Sequence, residues 1–106
     1  LLVLKQIQME RPLRFNQGKL DWTLIPFDAL EEVVKVLEMG AVKYGRNNYQ
    51  LQPGLPLESY IQSSFRHLIE LTKGELLDKE SELNHFSHVA ANALMYLWTL
   101  KQYHTK

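Results

Sequence analysis

The segment from about residue 83 to residue 103 constrains the fold most, because its apolar residues occupy almost the whole circumference of a helix. A helix that is apolar on nearly all sides needs burial on nearly all sides. The chain has 106 residues, enough for one domain and too few for two. We therefore expect one all-α domain over residues 1–106, in which a second copy of the chain covers part of the last helix.

Two further helices are predicted from the spacing of apolar residues. Between Leu30 and Tyr44 these residues recur at helical spacing, and Asp28 with Glu31 resembles a capping box at the helix start. This helix should span about 28–44 and end at Gly45. The next helix should begin near Leu57, with Gly74 either ending it or lying within it. Its predicted inward stripe is Tyr60, Ile61, Ser64, Leu68 and Leu71.

No segment shows convincing strand alternation, so the predicted architecture is a three-helix bundle completed by dimerisation or tetramerisation. Residues 1–13 are expected to form an irregular or extended segment ahead of the bundle. Met9 is a candidate natural start, which would make residues 1–8 foreign to the protein.

Charge, cysteine content and hydropathy exclude several classes of protein. Twelve basic residues balance twelve acidic ones, so there is no basic excess for binding a nucleic-acid polymer. The absence of cysteine excludes disulfide scaffolds and thiolate metal sites, and it fits a cytoplasmic location. The longest apolar run, residues 89–100, is interrupted by Asn92 and is too short to cross a bilayer.

Polar residues on the last two helices predict a metal site. If the second helix continues through Gly74, Glu75 falls on its apolar stripe with Asp78 and His67 beside it, and buried carboxylates need a cation. The last helix carries a polar stripe through its apolar surface: His85, His88, Asn92, Tyr96 and Thr99. Bundle-core metal sites are built from such opposed stripes. Carboxylates suit Mg²⁺ or Mn²⁺, and imidazoles favour transition metals.

Each of these residues also has a purely structural interpretation. Glu80 and Glu82 fit solvated loop acids, and His85 fits an ordinary residue at a helix start. His67 fits a core histidine bonded to a carbonyl, and Asn92 fits a residue that fixes helix register.

Basic and aromatic residues outside the acidic stretch are candidates for binding a phosphorylated ligand. Lys19, Lys43, Arg46 and Arg66 could hold phosphates, although a solvated basic rim explains them equally well. Trp22 and the 47–49 loop, which includes Asn48, could contact a base.

Four stretches, in this order and at these spacings, resemble a known family. They are Arg14-Phe15-Asn16-Gln17-Gly18-Lys19, Gly40-Ala41-Val42-Lys43-Tyr44-Gly45, Arg66-His67, and Gly74-Glu75-Leu76-Leu77-Asp78-Lys79-Glu80-Ser81 followed by His85, His88 and Asn92. The chain resembles the dATP/dGTP diphosphohydrolases, a phage-rich family related to the MazG-like all-α nucleotide pyrophosphatases.

The resemblance implies hydrolysis of a purine deoxynucleoside triphosphate to the monophosphate and pyrophosphate, with Mg²⁺ or Mn²⁺. Glu75 and Asp78 are then expected as metal ligands, with Glu80 as a weaker third. His85 and His88 would be further ligands or proton-transfer groups, and His67 a phosphate donor or a partner of the ligands. The resemblance also implies a role in supplying dGMP for phage genomes with modified purines. Such a role would place the chain in the host cytoplasm.

The chain departs from the family pattern at three positions: Tyr49 replaces a usual tryptophan, Glu82 a glycine and Asn84 a proline. It departs further from the MazG-like group, because His85-x-x-His88 stands where that group carries acidic residues. Two other functions stay open, a non-catalytic helical interaction module and a redox metal bundle. A missing second Glu-x-x-His weakens the latter.

Overall fold

The computed structural model describes residues 11–15 and 17–104, and over these ranges the fold is all-α, as predicted. Its three helices are α1, Phe27–Tyr44; α2, Leu57–Thr72; and α3, His85–Tyr103. Short 3₁₀ helices occupy Trp22–Leu24 and Asn48–Gln50. Within the described residues, β-structure is limited to one isolated bridge between Leu77 and Asn84. Residues 1–10, with the candidate start Met9, lie outside the described part.

Helix α1 matches its predicted range, but the predicted capping box is wrong. The N-cap is Pro26, which makes no side-chain cap hydrogen bond, so Asp28 and Glu31 lie inside the helix. The predicted end is confirmed. Gly45 has φ of +98° and donates its N–H to the carbonyl of Ala41 at 3.0 Å.

Helices α2 and α3 pack against each other in antiparallel orientation. Three side-chain pairs show this: Tyr60 with Thr99 at 3.1 Å, Ser63 with Asn92 at 3.1 Å, and His67 with His85 at 2.8 Å. The predicted polar stripe of α3 therefore faces α2, and its members His85, Asn92 and Thr99 are buried. This pairing places the end of α2 beside the start of α3.

Helix α2 does not continue through Gly74, which overturns the condition for an inward Glu75. The chain leaves the helix in a Schellman motif, in which the N–H of Glu75 bonds to the carbonyl of Glu70 and that of Gly74 to Leu71. Gly74 has φ of +83°, a conformation that favours glycine. Glu75 consequently lies beyond the helix and is exposed.

Residues 73–84 form a compact turn-back segment, here called the 73–84 hairpin, between α2 and α3. Its two arms are joined by hydrogen bonds from Asp78 N to Leu83 O at 2.8 Å and from His85 N to Leu76 O at 2.9 Å. Glu82 adopts φ of +61°. Glycine adopts such a left-handed backbone without strain, and a glutamate here carries a modest cost. Asn84 caps α3 by accepting a hydrogen bond from Phe86 N.

One chain by itself leaves much of α3 uncovered. Phe86 and Leu97 are 60% and 59% exposed, and the buried apolar side chains in the described ranges are Val33, Tyr60 and Ala91. Across those ranges, every helix is too short or too polar to span a membrane.

Candidate functional site

Five polar side chains meet where α2 ends, the 73–84 hairpin folds back and α3 begins. This acid–histidine cluster consists of His67, Asp78, Ser81, His85 and His88. His67 Nδ1 and His85 Nδ1 lie 2.8 Å apart, so one ring donates a proton to the lone pair of the other. His85 is only 5% exposed, and the first turn of α3 therefore fixes its ring inside the cluster.

The hairpin holds the carboxylate of Asp78 in place through Ser81. Ser81 N donates to Asp78 Oδ2 at 2.9 Å, and the hydroxyl of Ser81 lies 2.7 Å from His88 Nε2. Asp78 Oδ2 is itself 3.7 Å from His88 Nε2. Burial opposes ionisation of Asp78, but the hydrogen bonds from Ser81 and the nearby imidazoles lower its pKa overall. The carboxylate is therefore ionised at neutral pH.

Burial favours the neutral forms of His67 and His88. Burial lowers the pKa of His67, and the neighbouring His88 and His85 add to this effect. Burial also lowers the pKa of His88, against the opposing influence of Asp78. The two rings stack with centroids 4.4 Å apart and planes 8° from parallel. Neutral imidazoles keep a lone pair, which both metal coordination and proton acceptance require.

Three members of the cluster form a candidate metal triad. One ligand atom from each of His67, Asp78 and His85 lies within 4.8 Å of the others. Two imidazoles and a carboxylate are a donor set that divalent metals accept, so these residues fit a divalent ion. His88 lies beside this triad, stacked on His67 and close to Asp78.

The structure brings together Asp78, His85 and His88, as the sequence predicted, and adds His67 as a potential ligand. Glu75 and Glu80, the other predicted ligands, are exposed on the hairpin and lie outside the triad. The sequence analysis did not name His67 as a candidate metal ligand. An antiparallel pairing of α2 and α3 would have found it, because His67 near the end of α2 must then face the start of α3.

The four predicted phosphate-binding residues lie on different elements, outside the acid–histidine cluster. Lys43, at the end of α1, pairs with Glu80 of the hairpin at 2.8 Å, which raises the pKa of the lysine. Arg66 is exposed and directly precedes His67 on α2. Arg46 is exposed in the loop after α1, and Lys19 is exposed in the loop before the first 3₁₀ helix.

The predicted base contacts lie outside the acid–histidine cluster. Trp22 is 65% exposed and lines a shallow surface depression together with Lys19. Asn48 is half-buried in the second 3₁₀ helix. Its neighbour Tyr49 packs edge-on against Trp98 with ring centroids 5.6 Å apart, so the tyrosine ring serves packing.

Comparison with known proteins assigns the chain to a family. The family described as dATP/dGTP diphosphohydrolase, N-terminal, matches residues 10–106. The chain belongs to this family. A curated relative, the dATP/dGTP diphosphohydrolase of Salmonella phage PMBT28, is 39% identical over 88 residues. The match covers 83% of this chain and 29% of that protein, so the chain spans under a third of the relative's length. No solved structure matches the chain significantly.

Proposed function

We propose that this chain hydrolyses a purine deoxynucleoside triphosphate, dGTP or dATP, to the monophosphate and pyrophosphate, using Mg²⁺ or Mn²⁺ at the acid–histidine cluster. Its membership of the diphosphohydrolase N-terminal family and the name of its phage relative support this substrate class. The observation that carries the proposal is the convergence of His67, Asp78 and His85 at one end of the helix pair.

The residues of the cluster would have separate roles in the reaction. A bound divalent ion would neutralise phosphate charge and make a water more acidic. Asp78 and the two imidazoles of the triad would hold the ion, with Ser81 fixing the carboxylate. Neutral His88, which lies beside the triad, can accept the proton of the attacking water.

Basic side chains around the cluster would hold the phosphates. Arg66 is one residue from a triad member, and Lys43 reaches the hairpin through Glu80. A triphosphate would compete with Glu80 for Lys43, because phosphate oxygens are strong acceptors for ammonium groups. Glu75 and Glu80, on the same hairpin, are candidate ligands for an ion that arrives with the nucleotide. The remaining proposed contacts are Lys19 and Arg46 to phosphates and Trp22 and Asn48 to the base.

The decisive test is incubation of the chain with each deoxynucleoside triphosphate and Mg²⁺ or Mn²⁺, with pyrophosphate and phosphate measured separately. We expect pyrophosphate and the monophosphate from dGTP or dATP, and no product when a chelator is present. Release of single phosphates would contradict the reaction proposed. The absence of product from every nucleotide would favour a non-catalytic helical module.

We further propose that the chain acts as a homodimer or homotetramer. An apolar groove of about 440 Å³ runs between α2 and α3 and is lined in part by Ile61, Phe65, Ala93 and Tyr96. Ile61, which the sequence placed on the inward stripe, is 39% exposed there, and Phe65 is 56% exposed. The same helix pair of a second copy would bury these residues in a four-helix arrangement.

Sedimentation equilibrium checks this assembly. We expect a dimer or tetramer for the wild-type chain and a monomer for Phe65→Glu, since a charge in the groove disrupts apolar contact. Val42→Glu is the matched control, because Val42 is 90% exposed on α1 and outside the groove. A monomeric wild-type chain would contradict self-association.

In a phage, the dGMP formed would feed the synthesis of modified purine nucleotides in the host cytoplasm. This role rests on the family membership and on the phage source of the relative. The absence of monophosphate from dGTP in the assay above would exclude this role.

A further inference from the structure

The metal triad contains more nitrogen than oxygen, and this composition bears on which ion it selects. His67 and His85 offer two imidazole nitrogens, against one carboxylate oxygen from Asp78. Mg²⁺ prefers oxygen ligands and keeps several waters, whereas imidazole suits first-row transition ions.

The spacing of the two imidazoles matches coordination of a single ion. Nitrogen ligands lie about 2.0–2.1 Å from such a metal, so two of them at a right angle are about 3.0 Å apart. The Nδ1 atoms of His67 and His85 are 2.8 Å apart. The two Nδ1 atoms face each other in a hydrogen bond, and a shift of the shared proton to Nε2 of its ring frees both Nδ1 lone pairs for an ion.

The neighbours of the triad hold its ligands rigidly. His88 stacks on the ring of His67, and Ser81 N bonds to the carboxylate of Asp78. His85 is fixed by burial at the start of α3. Such support around the ligands limits their rearrangement and so strengthens metal binding.

We propose that His67, His85 and Asp78 bind one first-row transition ion in preference to Mg²⁺, with both histidines coordinating through Nδ1. This inference rests on the metal-dependent function proposed above. It narrows the choice of ion to first-row transition ions, a class that includes Mn²⁺ and excludes Mg²⁺. His67 thereby becomes a ligand and not a phosphate donor.

Binding of Co²⁺ to the untagged chain tests the inference without any nucleotide. We expect one Co²⁺ per chain by isothermal titration calorimetry, a visible absorption band typical of nitrogen coordination, and at least about 100-fold weaker binding of Mg²⁺. His67→Gln should weaken Co²⁺ binding at least about tenfold and change the band. The control His104→Gln, at an exposed histidine beyond α3, should change neither.

Competition on the wild-type chain keeps the test decisive if His67→Gln fails to fold, as judged by circular dichroism. Excess Mg²⁺ should leave the Co²⁺ band intact, and Zn²⁺ should remove it. Equal affinities for Mg²⁺ and Co²⁺, or unchanged Co²⁺ binding by folded His67→Gln, would overturn the inference. Hydrolysis without Co²⁺ binding would contradict this inference and leave the proposed activity standing. Co²⁺ binding without hydrolysis of any nucleotide would contradict the proposed activity and leave this inference standing.

Discussion

Replacing Asp78 with Asn is expected to lower kcat for dGTP hydrolysis by at least about 1,000-fold, because it removes the only carboxylate of the metal triad. The substitution keeps the size and shape of the side chain. Its amide oxygen can still accept the hydrogen bond from Ser81 N that orders the hairpin, so the fold should be retained. Steady-state kinetics with Mn²⁺, together with a circular dichroism spectrum, measure the two effects separately.

Two comparison variants show whether the loss is specific to the triad. Asp28→Asn removes an equal charge from the first turn of α1, outside the triad, and should leave kcat within about twofold. Arg66→Gln should raise KM about tenfold with a smaller change in kcat, as loss of a phosphate contact predicts. Wild-type kcat in a folded Asp78→Asn variant would show that the reaction takes place elsewhere.

Replacing Gly54 with Ala should destabilise the fold by about 2–5 kcal/mol, the combined cost of a left-handed alanine and an overpacked contact. Gly54 has φ of +80°, and a Cβ there would lie 2.9 Å from Tyr103 Cδ2 and 3.0 Å from Thr99 Cγ2. Thr99 is completely buried, and Tyr103 is tied to the same loop by a hydrogen bond from its hydroxyl to Gln50 O. Neither neighbour can move away easily. Urea denaturation measures the loss as a lower free energy of unfolding.

Gly74→Ala is the matched control for this effect. Gly74 has nearly the same backbone conformation, φ of +83°, but nothing lies within 4 Å of a Cβ placed there. It should therefore cost only about 1–2 kcal/mol, the strain of the left-handed conformation. Equal losses from the two substitutions would mean that the contact of Gly54 with α3 adds nothing to stability.

The sequence predicted the helices well because their signals are local. The start of α3 and the ends of α1 and α3 follow from apolar spacing and from Gly45, and these need no knowledge of the rest of the chain. The inward stripe of α3 was also predictable, since five polar residues in an otherwise apolar helix fall on one side. The start of α1 was predicted to within one residue, but its capping box was wrong, because the N-cap is Pro26 and makes no side-chain hydrogen bond.

The site was only partly predictable, and the reason lies at Gly74. A glycine near a helix end either breaks the helix or lies within it, and spacing along the chain cannot choose between the two. The choice decides whether Glu75 joins the cluster. With the helix ended by a Schellman motif, Glu75 is exposed and the hairpin delivers Asp78 to the histidines instead.

The sequence by itself determined the all-α class, the polar face of α3 and the set of acids and histidines from which a site could be built. These properties depend on residue type and on the periodicity of one helix. Only the tertiary structure decided which members meet, because His67, Asp78 and His85 come from three separate segments whose contact depends on the turn at Gly74 and the antiparallel packing of α2 and α3. Such long-range geometry is fixed by packing and loop conformation and leaves no periodic signal in the chain.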